Sequence, residues 1–209
     1  MQRSSQVVSV VFHPLFMPLY ATWLLFHAGS HLTYTIPESL QFFLYAFMFV
    51  MTALLPASII WFLWQRGWIE SPELYQRNER HIPFLLTLSC YGGALWILLS
   101  LPVSRLLGFS LLGACLAVLM ALLINLRWKI SIHMIGIGGL AGLFYGFGYW
   151  MQMQVAGMIP AMCFTAGLVG TARLIRQAHT PAQVYAGFLL GFTIEFVFSW
   201  LIYTFYLRA

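Results

Sequence analysis

Apolar runs alternate with short polar stretches along the whole of this chain, and seven runs are long enough to be helices crossing a bilayer. An apolar stretch of about 20 residues spans the hydrocarbon as a helix. The runs cover approximately 8–28, 40–64, 83–101, 105–126, 133–150, 155–172 and 182–207. The first has only Arg3 ahead of it and no small-residue cleavage pattern behind it, so it reads as a retained helix rather than a signal peptide. Pro14 and Pro18 lie inside it, and proline removes a backbone hydrogen bond, so a broken or re-entrant segment is the alternative. Six or seven spans therefore form a single transmembrane domain over 1–209, and the expected fold is an all-α polytopic helical bundle.

Composition agrees with this pattern. The chain is 61% hydrophobic and 7% charged, whereas soluble proteins carry about a quarter charged residues. Cys90, Cys115 and Cys163 stand singly inside apolar runs and act as small fillers; neither a disulfide nor a metal site is expected. With seven spans, Arg3, Arg66, Arg77, Arg80, Arg127, Lys129, Arg173 and Arg176 fall on one side, against Arg105 and Arg208 on the other. The positive-inside rule then places the first group in the cytoplasm. Setting aside Arg80, Lys129 and Arg173 as candidate ligands still leaves five against two.

The same map puts three polar clusters on one membrane face, because two spans separate each from the next. They are Arg77, Arg80 and His81; Lys129, Ser131 and His133; and Arg173 with His179. Cleaving a phosphate ester through a covalent intermediate needs a nucleophile, a proton donor for the leaving oxygen and fixed positive charge around the phosphoryl oxygens. Histidine serves either proton role near neutral pH, and arginine offers planar paired donors that match phosphate. These residues are the parts of a phosphatase that uses neither metal nor cofactor.

The run from Ala172 to Gly187 resembles the third signature of the type 2 phosphatidic acid phosphatase superfamily, SRxxxxxHxxxD, with Arg173 and His179 at the family's spacing. Ile130-Ser131-Ile132-His133 resembles the second signature, PSGH, and Arg80 followed by His81 and Pro83 is a loose counterpart of the first, KxxxxxxRP. The resemblance covers approximately 77–191. It implies that His179 attacks phosphorus, that His133 protonates the leaving group, and that Arg80, Ser131 and Arg173 hold the phosphate; Arg77 and Lys129 are further candidate phosphate-binding cations by their place in the clusters. It also implies a lipid phosphate or pyrophosphate substrate reaching the site sideways from the leaflet, its chain in hydrocarbon.

The departures from the family pattern are specific. Glu73 stands where the family has lysine, His81 replaces the proline after the first-signature arginine, and Ile130 and Ile132 replace proline and glycine. Ala172 replaces serine, and Gln183 replaces the aspartate that orients the nucleophile. Four residues beyond His179, Gln183 shares its helical face and can accept a hydrogen bond from the imidazole, but it brings no negative charge. Lys129 is a candidate replacement for the missing first-signature lysine.

Other residues have structural readings. Thr180, Pro181 and Gln183 form a capping box that starts the last helix. Gly138, Gly142 and Gly146, with Gly187 and Gly191, have the small-residue spacing that lets membrane helices approach closely. Arg66, Arg127, Arg176 and Arg208 suit lipid headgroups. His27 and His31 fit no cluster; His13 fits none either, but lies near the signature face. Glu195 is a carboxyl deep in a span, costly unless paired, protonated or wetted; structural pairing, an oligomer contact and a proton path stay open.

Two further function classes stand beside the phosphatase. One is a catalytically impaired relative that binds anionic lipid headgroups or serves as a structural membrane subunit. The other is a transporter of an anionic solute using Glu195. Membrane lipids are the expected partners, a homo-oligomer is left open, and nucleic acid is not expected.

Overall fold

The computed structural model describes residues 2–27, 36–101, 105–153, 155 and 157–207. His31 and Arg208 lie outside the described residues. The described residues form helices joined by short connections, without strands. In order they are α1 (Gln2–Val11), α2 (Met17–His27), α3 (Glu38–Gln65), α4 (His81–Ser100), α5 (Arg105–Asn125), α6 (Ile132–Trp150), α7 (Met158–Ile175) and α8 (Pro181–Ile202). Seven stretches are long and apolar enough to cross a membrane, α1 and α2 counting as one over Arg3–His27. The chain is a multi-pass, all-helical membrane protein.

The first span is interrupted where its prolines said it would be. α1 ends at Val11, a short 3-10 turn covers Pro14–Phe16, and α2 starts at Met17. Pro14 occupies the first position of that turn, where a missing N–H costs least. α1 then lies against α7, and α2 goes its own way to pack on α3 and α6. The third span has a π-helical turn over Phe49–Leu54 just ahead of Pro56, the kind of local unwinding that proline forces on a helix.

The centre of the bundle is the pair α6 and α8, which run parallel. A side chain added at Gly138 would strike the Phe188 carbonyl, at Gly142 the Phe192 carbonyl, and at Gly191 the Ile135 carbonyl. At Gly187 it would lie 2.7 Å from the Ser131 oxygen. The partners rise together in number along both helices, so the N-termini lie side by side. Only glycine allows backbone to touch backbone along such a seam, and van der Waals contact of this kind holds helices together where the lipid is as apolar as the protein.

Loops at the N-terminal end of α4, α6 and α8 are tied directly to one another. Arg77 Nη1 donates to the Arg127 carbonyl at 2.7 Å, Asn125 Nδ2 donates to the Arg77 carbonyl at 2.9 Å, and Arg176 Nη2 donates to the Tyr75 hydroxyl at 2.7 Å. The three polar clusters therefore emerge at one end of the bundle.

The chain reverses between α7 and α8 in a tight, fully bonded turn. Gln177 N–H donates to the Leu174 carbonyl at 2.9 Å and Ala178 N–H to the Arg173 carbonyl at 3.1 Å, with Gln177 in the left-handed region at φ 50°. This is a Schellman motif with glutamine at the position where glycine is usual. Because a non-glycine residue is strained there, Gln177→Gly is expected to stabilise the protein by ~0.5–1 kcal/mol, read from thermal unfolding in detergent.

Candidate functional site

The turn that ends α7 and the cap that starts α8 together place two chemical groups. Arg173 sits in the last turn of α7, and six residues later His179 precedes the N-cap Thr180. Both side chains are 8% exposed and line a common cavity of about 360 Å³. Arg80, 4% exposed, and His133, 8% exposed, line it too. Arg80 comes from the 3-10 turn before α4, and His133 from the first turn of α6. Four residues singled out in the sequence are thus brought to one place.

The tautomer of His179 follows from its partners. Thr180 Oγ1 accepts the Gln183 N–H at 3.4 Å, and Gln183 Oε1 accepts the Thr180 N–H at 3.2 Å. The amide of Gln183 is therefore turned with its oxygen toward the helix start, and that same oxygen lies 3.0 Å from His179 Nδ1. An acceptor there requires Nδ1 to carry the proton, which leaves the lone pair on Nε2. An amide in place of an orienting carboxylate ordinarily risks the opposite tautomer. The capping box removes that risk by fixing which end of the amide faces the ring.

Electrostatics keep this imidazole neutral. Burial pushes the His179 pKa down to about 3, against the opposing hydrogen bond with Gln183 and with help from the Arg80, Lys129 and Arg173 charges. The Lys129 ammonium is itself held below its ordinary value by burial and by the Arg80 charge. The unfolded chain takes a proton on His179 near pH ~6.5, while the folded chain stays unprotonated to about pH 3. Between those values the unfolded state binds more protons, so stability falls as the pH is lowered through that window. Thermal midpoints at about pH 7.5 and about pH 4.5 are expected to differ less in His179→Asn than in the parent protein.

Arg80 is partly committed. Its Nε donates to the Leu74 carbonyl at 2.8 Å and its Nη1 to the Ile130 carbonyl at 3.2 Å. Leu74, in the left-handed region at φ 53°, presents that carbonyl. A guanidinium has five N–H donors, so Arg80 retains donors for a ligand while pinning the loops before α4 and α6 together. Arg173 donates from Nη2 to the Ser9 hydroxyl, and its buried Nε has no partner. Ser131 is fully buried at the N-cap of α6, with a hydroxyl that makes neither a cap bond nor any other. Buried polar atoms left unsatisfied carry a cost of about 1–3 kcal/mol each; Arg173 lines the cavity, whereas Ser131, expected as a phosphate ligand, is buried outside its lining.

Some expectations are not met by the geometry. Arg77 does not line the cavity, because its guanidinium is turned to the Arg127 carbonyl as a link between loops. Lys129 lies within electrostatic reach of His179 and Arg80, but outside the lining. His133 Nε2 sits 3.2 Å from the Ser9 carbonyl, which can only accept, so its proton is directed at backbone rather than at the cavity. Gln183 touches His179 as expected.

Two contributors come from α1 and the turn after it, which the sequence clusters did not include. Ser9 contacts both Arg173 and His133. His13 packs edge-on against His133, ring centroids 5.2 Å apart, and lines the same cavity. His13 Nδ1 accepts the Leu15 N–H at 3.4 Å, which leaves the His13 proton on Nε2. The signal available in the sequence was a histidine directly before the proline that breaks an apolar run, on the face of the signatures.

Two helix N-termini, those of α6 and α8, lie at this place side by side, and each adds positive potential. Among the described residues, no three His, Cys, Asp or Glu side chains converge as a metal site would need. The arrangement suits a tetrahedral oxyanion held by arginine and backbone next to a neutral imidazole. No family model, no curated protein and no solved structure matches the chain.

Proposed function

We propose that the protein is a membrane-embedded, metal-independent phosphatase of lipid phosphates or pyrophosphates, working through a phosphohistidine. The observation that carries this reading is the neutral His179, fixed by Gln183 so that its Nε2 lone pair is free beside Arg80 and Arg173. The Nε2 lone pair forms a bond to phosphorus as the bond to the leaving oxygen breaks. That oxygen leaves with the bonding electron pair and takes its proton from water, while His13 Nε2–H, the donor of the His13–His133 pair not committed to backbone, gives it a hydrogen bond. The hydroxide so formed then cleaves the N–P bond and releases phosphate. Arg80, Arg173 and the two helix N-termini balance the charge of the phosphoryl oxygens throughout.

The excess of cations on the signature side supports a cytoplasmic site in the cell membrane. Purified protein mixed with lipid phosphate labelled in its phosphoryl group is expected to trap an acid-labile, base-stable adduct on His179. Phosphate release with no such adduct would reject the covalent route, and no release from any lipid phosphate would reject the enzyme. Gln183→Leu removes the tautomer lock and is expected to lower phosphate release by ~10²–10⁴-fold. Loss of the cap costs only ~1 kcal/mol of stability beside it, so circular dichroism separates the two effects.

One observation favours a second reading. Ser9 already occupies Arg173 and His133, which suits a protein that holds an anionic headgroup without cleaving it. Binding retained with no release from any lipid phosphate would identify that case.

A further inference from the structure

The cavity does not stop at the cationic groups. α5 contributes Ala121, Ala117, Ala114 and Ser110 to its wall, and α4 contributes Thr87 and Tyr91. These positions step by three or four residues, so each helix turns one face to the same space. α4 leads away from the polar end at Arg80, and α5 returns to it at Asn125, so the wall follows the helices into the bundle. Glu195 of α8 lines a deep part, facing Gly113 and Gly139, and Leu107 and Leu143 line it beyond that level. It lies 14 residues beyond Pro181, or about 21 Å at the helical rise, against a hydrocarbon thickness of about 30 Å.

Chemistry changes along this length. The mouth has Arg80, Arg173 and His179; the middle has small and aliphatic side chains; deep in the bundle stands a carboxyl that is 6% exposed, with Oε2 unpartnered. That carboxyl fits between helices because Gly113 and Gly139 face it. A side chain added at Gly113 would come 2.7 Å from Oε2, and one at Gly139 would come 3.3 Å from Cγ. A cationic mouth, an apolar stem and a buried polar group well below it describe the shape of one ligand class.

We propose that this cavity is a chain chamber, and that the protein takes a single-chain alkyl or prenyl phosphate whose tail runs inside the bundle and ends short of Glu195. This rests on the reading of the mouth as a phosphate site, though not on cleavage there. The cavity's 360 Å³ holds about a dozen groups the size of water, at ~30 Å³ each, which is a phosphate with one chain of roughly eight carbons and not with two. The tail is therefore surrounded by protein rather than left in the lipid, and Ala117 on the wall and Glu195 beyond the tail set the length accepted. A diacyl phosphate has a second tail with no place inside.

The test uses full-length protein in detergent, with ethyl phosphate, octyl phosphate and a diacyl phosphatidate as probes. Octyl phosphate is expected to bind at least about tenfold tighter than ethyl phosphate, a fraction of the roughly fourfold per methylene that burial from water supplies, and tighter than the phosphatidate. Ala117→Trp is expected to abolish the difference between octyl and ethyl phosphate while ethyl phosphate still binds. Glu195→Ala is expected to move the preferred chain to greater length. Because either variant can fail to fold, octyl phosphate with a photoreactive group at its chain end is also used on the unaltered protein. Its label is expected on Thr87, Tyr91 or Ala117. Label on outward-facing Trp96 or Leu189 would overturn the chamber, as would octyl phosphate binding no better than ethyl phosphate. If not even ethyl phosphate binds, the phosphate reading of the mouth fails and the chamber ligand fails with it.

Discussion

His179→Ala is expected to lower phosphate release by at least about 10⁴-fold and to eliminate the acid-labile adduct. Removing the attacking group removes the covalent route altogether, and what survives is whatever charge stabilisation the arginines give to direct attack by water. Binding should respond in the opposite direction or not at all. The imidazole is neutral and makes its one hydrogen bond to Gln183, so its loss strips no cation from the mouth and leaves Arg80 and Arg173 in place. The combination of lost turnover with retained ethyl phosphate binding is what distinguishes a nucleophile from a structural residue. Turnover that persists in His179→Ala would move the nucleophile elsewhere, and His133 and His13, which line the same cavity, are the imidazoles to test.

Gly142→Leu is expected to be the most damaging change outside the mouth. The added side chain meets the Phe192 carbonyl, which belongs to the backbone and cannot rotate away. Helices α6 and α8 would have to part, and overpacking of this kind costs ~1–3 kcal/mol or more. The loss extends beyond stability, because His133 rides on the start of α6 and His179 on the start of α8. Parting the helices separates the imidazoles, and turnover should fall even in protein that remains folded. Gly92→Ala and Gly167→Ala are the matched controls. Neither added methyl group meets any atom within 4 Å, and alanine is favoured over glycine inside a helix by ~1 kcal/mol. Thermal unfolding and phosphate release on all three variants check the argument together. Equal stability of Gly142→Leu and Gly92→Ala would contradict the glycine seam.

Much of this architecture was readable from residue type alone. The spans follow from apolar length, the last helix starts at the capping box of Thr180, Pro181 and Gln183, and the glycines of α6 and α8 meet as their spacing said. The mouth was legible wherever a polar group stands at the end of an apolar run, which located Arg80, His133, Arg173 and His179. It was not legible in two kinds of place. Ser9 and His13 reach the mouth only because the chain breaks at Pro14 and lays α1 on α7, and local sequence does not specify which helix a short amphipathic segment will choose. Arg77 has the composition of a phosphate ligand but is spent on a carbonyl 50 residues away, a pairing set by loop geometry. The protonation of His179 likewise needed the orientation of one amide, which depends on a backbone N–H and cannot be read from a glutamine in a string of letters.

A seam of carbonyl against Cα has a mechanical corollary. Interleaved backbones on α6 and α8 cannot slide past each other without a full-turn jump of about 5.4 Å, so the two imidazole-bearing helix ends behave as a single rigid jaw. Whatever shape adjustment a ligand demands must then be made by the opposing N-terminal arm, which meets the jaw through Ser9, through His13 edge-on against His133, and through Pro14 and Met17 against Gly136.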